Sequence, residues 1–302
     1  MSGHLKPIFD CIRNEIIVPD SVEESILLDG TQADCWYRKS SGYSIYYDYA
    51  TDAKSRIWTP GNGGAAVIAS GEFPCVVKVG SYYYMAYDDL SGDLHLKCST
   101  DKVAWVDCNG GDPILTHTNV GHWANTIWNP AIAVVGSTWH LVQDGNDPDT
   151  ALYCAGYSSA VATGEGAALA VSFDANLSAL KVVDGFCGFL QYVPDRAALI
   201  YIHGTYTAGG IPYHISAHVG ALADNLALAA NWHQANFTLS GGTYYGPTDP
   251  TLCFNTDSAL SWRMCLGFNW EQADGYRAYG QMGATEFYDA ITAAGRSNAY
   301  AI

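Results

Sequence analysis

The residues able to do chemistry gather in a few short stretches. In "NVGHWANTIWNPAIAVVG" (119–136), His122 and Trp123, then Trp128 and Asn129, stand just ahead of an apolar run. Trp36 in "DCWYRK" and Tyr244 and Tyr245 in "GGTYYGP" occupy comparable positions beside turns or strand starts. Apolar sugar faces stack on such rings, while amides and carboxylates bind the hydroxyls. The competing role for Tyr and Trp is packing between sheets, which is the expectation for Trp139 and Trp262. Acids precede other apolar runs at Asp34, Glu72, Asp184 and Asp249. His203, His214, His218 and His233 are scattered without HExxH spacing, so a zinc enzyme is not expected. His140 falls inside a strand-like run and reads as a core histidine. "GNDPD" (145–149) offers oxygen ligands for calcium, but without EF-hand spacing it reads as a plain turn. No metal or other cofactor is expected.

The nine cysteines include no CxxC pair. Most sit in apolar runs such as "PCVVKV" and "RMCLGF", as small buried hydrophobes do. Cys11 is the candidate for a cross-link to another chain.

The elements that must position these groups emerge from a repeat. "FPCVVKVGSYYYMAYDD" from Phe73 lies over "NPAIAVVGSTWHLVQDG" from Asn129, with Pro74 on Pro130, Gly80 on Gly136 and Asp88 on Asp144. Continued without a gap, the alignment sets Cys98 on Cys154. Further copies start at Asp249, Gly185 and, most weakly, Ala33. Each is an apolar strand, a polar turn and a Tyr/Trp-rich strand, with "DLHLKCST" and "TALYCAGYSS" as third strands. Period-two alternation argues strand over helix. "GEGAALAVSF" and "GALADNLALAANW" are Ala-rich, the second able to form a short helix; both are expected between repeats. Starts near 34, 73, 129, 185 and 249 predict one all-β domain over 1–302, a five-bladed β-propeller of four-stranded antiparallel blades. "PIFDCIRNEIIVP" (7–19) is expected to complete the last blade. In such a ring the residues just before each first strand converge on one axial pocket. They are Asp34, Glu72 with Phe73, Asn129, Asp184 and Asp249.

The block P-x-x-x-x-x-G-x-Y-Y-x-x-Y, followed by S-x-D-x-x-x-W at Ser99, Asp101 and Trp105, resembles the five-bladed propeller glycosidases, the arabinanase, β-xylosidase and fructosidase superfamily. The likeness spans roughly 30 to 285. It implies three axial carboxylates, because a glycosidic oxygen must be protonated while a second carboxylate assists from the other face. Asp34 then stands at the first position, Glu72 or Phe73 at the second, and Asn129 at the third, where the family has an acid. Asp184 and Asp249 are further acids at the same level. An amide donates and accepts hydrogen bonds but delivers no proton at neutral pH.

The charge balance narrows the partners. Thirty Asp+Glu against 14 Lys+Arg leave a net charge of −16, which disfavours nucleic-acid phosphates and anionic membrane surfaces. No run approaches the ~18 apolar residues of a membrane-spanning helix, and no basic n-region precedes an apolar stretch, so cytosolic synthesis without a secretory signal is expected. The functional expectation is a non-catalytic propeller that binds glycan or other subunits within a larger assembly. A phage-virion part such as a decoration, neck or tail-fibre protein is the favoured version. The alternative is a glycoside hydrolase working through Asp34 with Glu72, Asp184 or Asp249.

Overall fold

The computed structural model describes the backbone of residues 24–27, 35–39, 44–52, 57–60, 68–116, 127–146, 153–173, 178–180, 185–205, 214–240, 247–254, 264–271 and 277–283. Side chains are described over 68–116, 127–145, 155–173, 188–194, 196–204 and 216–234.

Among these residues there is no α-helix, and five antiparallel sheets follow one another along the chain. The first sheet holds β1 (Glu24–Leu27), β2 (Cys35–Lys39), β3 (Ser44–Asp52), β4 (Ile57–Pro60) and the short β5 (Ala69–Ser70). The second runs β6 (Glu72–Val79), β7 (Tyr82–Asp88), β8 (Leu94–Ser99), β9 (Val106–Asp107). The third runs β10 (Ile127–Val135), β11 (Thr138–Asn146), β12 (Tyr153–Val161), β13 (Ser178–Leu180). The fourth is β14 (Gly185–Val193), β15 (Ala198–Thr205), β16 (His214–Ala221), β17 (Trp232–Ser240). The fifth has β18 (Pro247–Phe254), β19 (Met264–Glu271) and β20 (Arg277–Gly283). The first strands lie against one another in the order β1, β6, β10, β14, β18, and β1 also lies against β18. This is the expected five-bladed β-propeller, with the first strand of each blade innermost.

The first blade begins ten residues earlier than the repeat suggests. Its inner strand is β1 at Glu24, and the Ala33 copy matches β2 and β3 instead. The repeat misses β1 because the aromatic-rich hairpin that it matches is the second and third strands here. Residues 7–19, expected to complete the last blade, lie outside the described residues.

Each innermost strand is a sheet edge, so a proline there removes no ladder hydrogen bond. Pro74, Pro130 and Pro250 use that freedom. The tight turns after β6 and β10 need positive φ, supplied by Gly80 at 60° and Gly136 at 62°. The hairpin offset of 56 residues holds from Val76↔Met85 to Ile132↔Leu141. It fails in the third strands. Cys98 pairs with Tyr84, whereas Cys154 pairs with Gly145, and the partner of His140 is Ser159. The longer connection into β12 shifts the register, so the two cysteines are not equivalent.

Neither Ala-rich stretch is α-helical, and neither joins two blades along the chain. The first forms a 3-10 turn, Gly166–Ala168, between β12 and β13; the second ends in Ala229–Asn231, between β16 and β17. The earlier stretch does link blades through space. Gly166 N–H donates to Tyr84 Oη at 2.8 Å, and Asn109 N–H donates to the Leu169 carbonyl at 2.8 Å. Ser99, Asp101 and Trp105 close the turn after β8 on itself. The Asp101 carboxylate accepts from Ser99 Oγ and from the N–H groups of Val103 and Ala104, and Trp105 Nε1 donates to the Lys102 carbonyl. That motif caps a turn.

The core fills the clefts between blades. Tyr84 meets Trp139 edge-on at 5.1 Å between blades two and three. Ala131, Val142 and Tyr157 pack with Leu190, Leu199, Tyr201 and Trp232 between blades three and four. Cys75, Cys98 and Cys108 are free buried thiols, as expected of core cysteines. Burial pushes the Cys75 thiol up to about 12, slightly offset by a backbone contact at Ile132, so it stays protonated.

Candidate functional site

Among the described residues, four of the five innermost strands carry a β-bulge at the same place. It falls between Glu72 and Cys75, Trp128 and Ala131, Phe186 and Phe189, and Thr248 and Thr251. Each bulge sets two residues against one, which re-aims a side chain at the strand's leading end. The first bulged residues are Phe73, Asn129, Cys187 and Asp249, and those before them are Glu72, Trp128, Phe186 and Thr248. Phe73 and Asn129 both sit at positive φ, 50° and 53°. Asn tolerates that region; for Phe it costs roughly 1–2 kcal/mol.

Register therefore refines the expected ring of residues. Asn129 and Asp249 are equivalent, as is Phe73. In blade four the equivalent residue is Cys187; Asp184 precedes β14 and lies outside the described residues. Asp34 also lies outside them, directly before β2. That strand runs antiparallel to the inner strand β1, so its start is at the opposite end of the blade from the other first-strand starts. His122, Trp123, Tyr244, Tyr245 and residues 147–149 are outside the described residues as well. Trp36 lies in β2, paired with Ile26 and Asp48 in backbone register. Glu72 and Trp128 are half-buried and pair with Asp88 and Asp144.

Asn129 belongs to a polar relay that crosses from blade three to blade four. Its Nδ2 donates to Asp144 Oδ2 at 2.7 Å, and Tyr201 Oη donates to Asp144 Oδ1 at 3.1 Å. Asp144 is fully buried. An ionised carboxylate only accepts, so the amide nitrogen must face it and Asn129 Oδ1 turns away. The Tyr201 ring stacks on His203 at 5.1 Å, and His203 stacks on His218 at 5.1 Å. His203 Nδ1 faces its neighbour's carbonyl, Gly204 O, at 3.0 Å and so carries the proton there; its Nε2 then accepts from His218 Nδ1 at 3.0 Å. Burial lowers the His218 pKa to about 4, keeping it neutral near pH 7.

Room for this relay comes from one glycine. A Cβ on Gly188 would overlap the Tyr201 ring and hydroxyl. The same bulge position is Pro74, Pro130 and Pro250 in blades two, three and five, so of the four described bulges that of blade four alone departs from proline. Asp144, Tyr201, His203 and His218 were not among the residues expected to act. The one sequence signal was Asp144 aligning with Asp88.

His140 is buried as expected. Its Nδ1 lies 2.8 Å from Tyr157 Oη, the rings stack, and Tyr157 packs edge-on against Trp232. Burial pulls its pKa down to about 4. Among the described residues no group of three or more His, Cys, Asp or Glu side chains is arranged to hold a metal ion. None of their helices is long and apolar enough to cross a membrane.

No family model matches the chain, and no curated protein matches it in sequence. Solved structures match its fold. An α-L-arabinofuranosidase from Lactobacillus brevis superposes with a TM-score of 0.59 at 10% identity, over 89% of this chain and 92% of that one. An endo-arabinase from Bacteroides thetaiotaomicron gives 0.54 at 12%, over 90% and 96%. A β-fructofuranosidase from Bombyx mori gives 0.55 at 12%, over 87% and 61%. The chain thus has the fold of the five-bladed propeller glycosidases.

Proposed function

We infer that the chain binds a glycan at the leading ends of its inner strands and does not cut it. The observation that carries this reading is Asn129, whose amide is committed to the buried Asp144 carboxylate. Glycoside hydrolysis uses two carboxylates, one to protonate the leaving oxygen and one to act from the opposite face. Of the bulge positions Phe73, Asn129, Cys187 and Asp249, one is an acid. What remains suits recognition: the aromatic rings of Phe73 and Trp128 for apolar sugar faces and the Asn129 carbonyl oxygen for a hydroxyl.

The test is affinity electrophoresis and calorimetry against arabinan, xylan and fructan, run beside a reducing-sugar assay. Binding without sugar release is expected, with about tenfold weaker binding in Trp128→Ala. Sugar release that disappears in Asp249→Asn would sink this reading and establish the hydrolase alternative. Glu72, beside Asp88 in the β6–β7 ladder, is the observation that keeps that alternative in view. A role inside a virion-type assembly rests on the acidic charge alone, and light scattering of the purified chain with candidate subunits tests it.

A further inference from the structure

His203, His214, His218 and His233 share no motif along the chain, but the ladder of blade four brings two of them together. Between β15 and β16, Tyr201 pairs with His218 and His203 with Ser216. Residues opposite each other on a ladder leave the sheet on the same side, and so do alternate residues of one strand, so these four share one face. There His203 Nε2 and His218 Nδ1 lie 3.0 Å apart. Two ring nitrogens from adjacent strands thus point at one spot.

The surroundings suit a metal ion at that spot. His203 Nδ1 donates to the Gly204 carbonyl at 3.0 Å. Metal-ligating histidines are commonly held this way, one ring nitrogen on a carbonyl and the second presenting its lone pair to the ion. The hydrogen bond between two neutral imidazoles uses one lone pair and one proton. A cation uses two lone pairs, and His218 supplies the second by carrying its proton on Nε2 instead. Two zinc–nitrogen bonds of roughly 2.0–2.1 Å at a tetrahedral angle set their nitrogens roughly 3.3 Å apart, close to the present spacing. His203 is buried and stacked on Tyr201, which fixes its ring, while the half-buried His218 leaves an approach from solvent. Gln234 is opposite His218 on β17, and its Nε2 donates to Ser216 Oγ at 3.2 Å, so polar groups border the pair. Among the described residues no third His, Cys, Asp or Glu joins it. Water then takes the remaining positions, as in zinc sites that keep an open place. Imidazole suits zinc, copper and nickel; calcium and magnesium take oxygen ligands.

We propose that His203 Nε2 and His218 Nδ1 chelate a zinc-class divalent cation between β15 and β16. Two protein ligands hold it reversibly. The ion clamps the central strands of blade four, at the end of the relay that runs from Asn129 through Asp144 and Tyr201. The site is separate from the bulge residues of the glycan reading and does not depend on it. HExxH spacing is missing because strand register, and not one helix face, sets the pair.

The experiment is calorimetry of the metal-stripped full-length chain with zinc chloride, beside thermal melts and X-ray absorption of the wild type carrying one equivalent of zinc. Zinc at a hundredfold excess over Kd should raise Tm by roughly 4 °C, and calcium chloride should not. His218→Gln should weaken zinc binding at least roughly tenfold. His233→Gln changes an exposed residue paired with Val219, on the opposite face of the ladder, and should bind zinc as the wild type does. The absorption spectrum should show two imidazoles on the metal, a readout that needs no variant to fold. The proposal is overturned by no zinc binding, by fewer than two imidazoles, by undiminished affinity in His218→Gln, or by an equal loss in His233→Gln.

Discussion

Asn129 answers to two constraints at once. Its backbone must accept φ near 53°, and its side chain must donate to a buried carboxylate. Aspartate meets the first and fails the second. Asn129→Asp sets a carboxylate against Asp144, and one of the two must hold a proton in the folded state. That raises a folded pKa above its unfolded value, so the penalty is absent in acid and grows as pH rises through the carboxylate range. We expect about 2–4 kcal/mol of destabilisation at pH 7, shrinking toward pH 3, read from urea midpoints across pH. Gly188→Ala tests the other end of the relay. Its Cβ must push Tyr201 off Asp144, for a loss of about 1–3 kcal/mol in chemical denaturation. The tandem motif around Pro74 and Pro130 made Asn129 legible in the sequence. Asp144's partner Tyr201 was not, because it approaches from 57 residues away on another blade.

The β-bulge is the element that organises this chain. Alternation predicts the strands, but a bulge inserts one residue and decides which side chain turns at the leading end. Hence Glu72 and Phe73 could not be ranked from sequence, and Cys187 went unremarked behind Asp184. The central strands also hold two histidines in neutral form, the buried His140 beside Tyr157 and the half-buried His218 beside His203. Both have folded pKa values near 4, below the ordinary 6.5. Their contribution is complete above about pH 6.5 and is lost as pH falls toward 4, where the unfolded chain binds protons that the fold refuses. Urea midpoints should drop between pH 7 and pH 4.5, and His140→Gln should flatten part of that slope. An unchanged slope would show that His140 does not carry it. In the first Ala-rich segment the buried Leu169, Val171 and Phe173 alternate along the chain, a period of two that suits extended backbone and leaves only a single 3-10 turn before them.

At the scale of the molecule, the inner strands succeed one another around an axis, and β1 lies against both β6 and β18. Deleting residues 1–30 removes β1 and leaves those two strands without their shared neighbour. The expected result is a broadened, lower thermal transition and dye binding to exposed apolar surface, since inner strands are bare sheet edges. A truncated chain melting like the full one would mean that β1 adds nothing to the ring. The sequence alone determined that the chain is all-β, repetitive, propeller-like and strongly acidic, because periodicity, turn residues and charge are local properties that each segment declares for itself. It also marked Asn129, since the proline and glycine around it recur at a fixed distance. Only the tertiary structure decided that the first blade starts at Glu24, that Cys98 and Cys154 differ, and that Asp144, Tyr201, His203 and His218 form one relay. Those facts depend on strand register and on which faces meet across a cleft, and residues tens of positions apart carry no local mark of meeting.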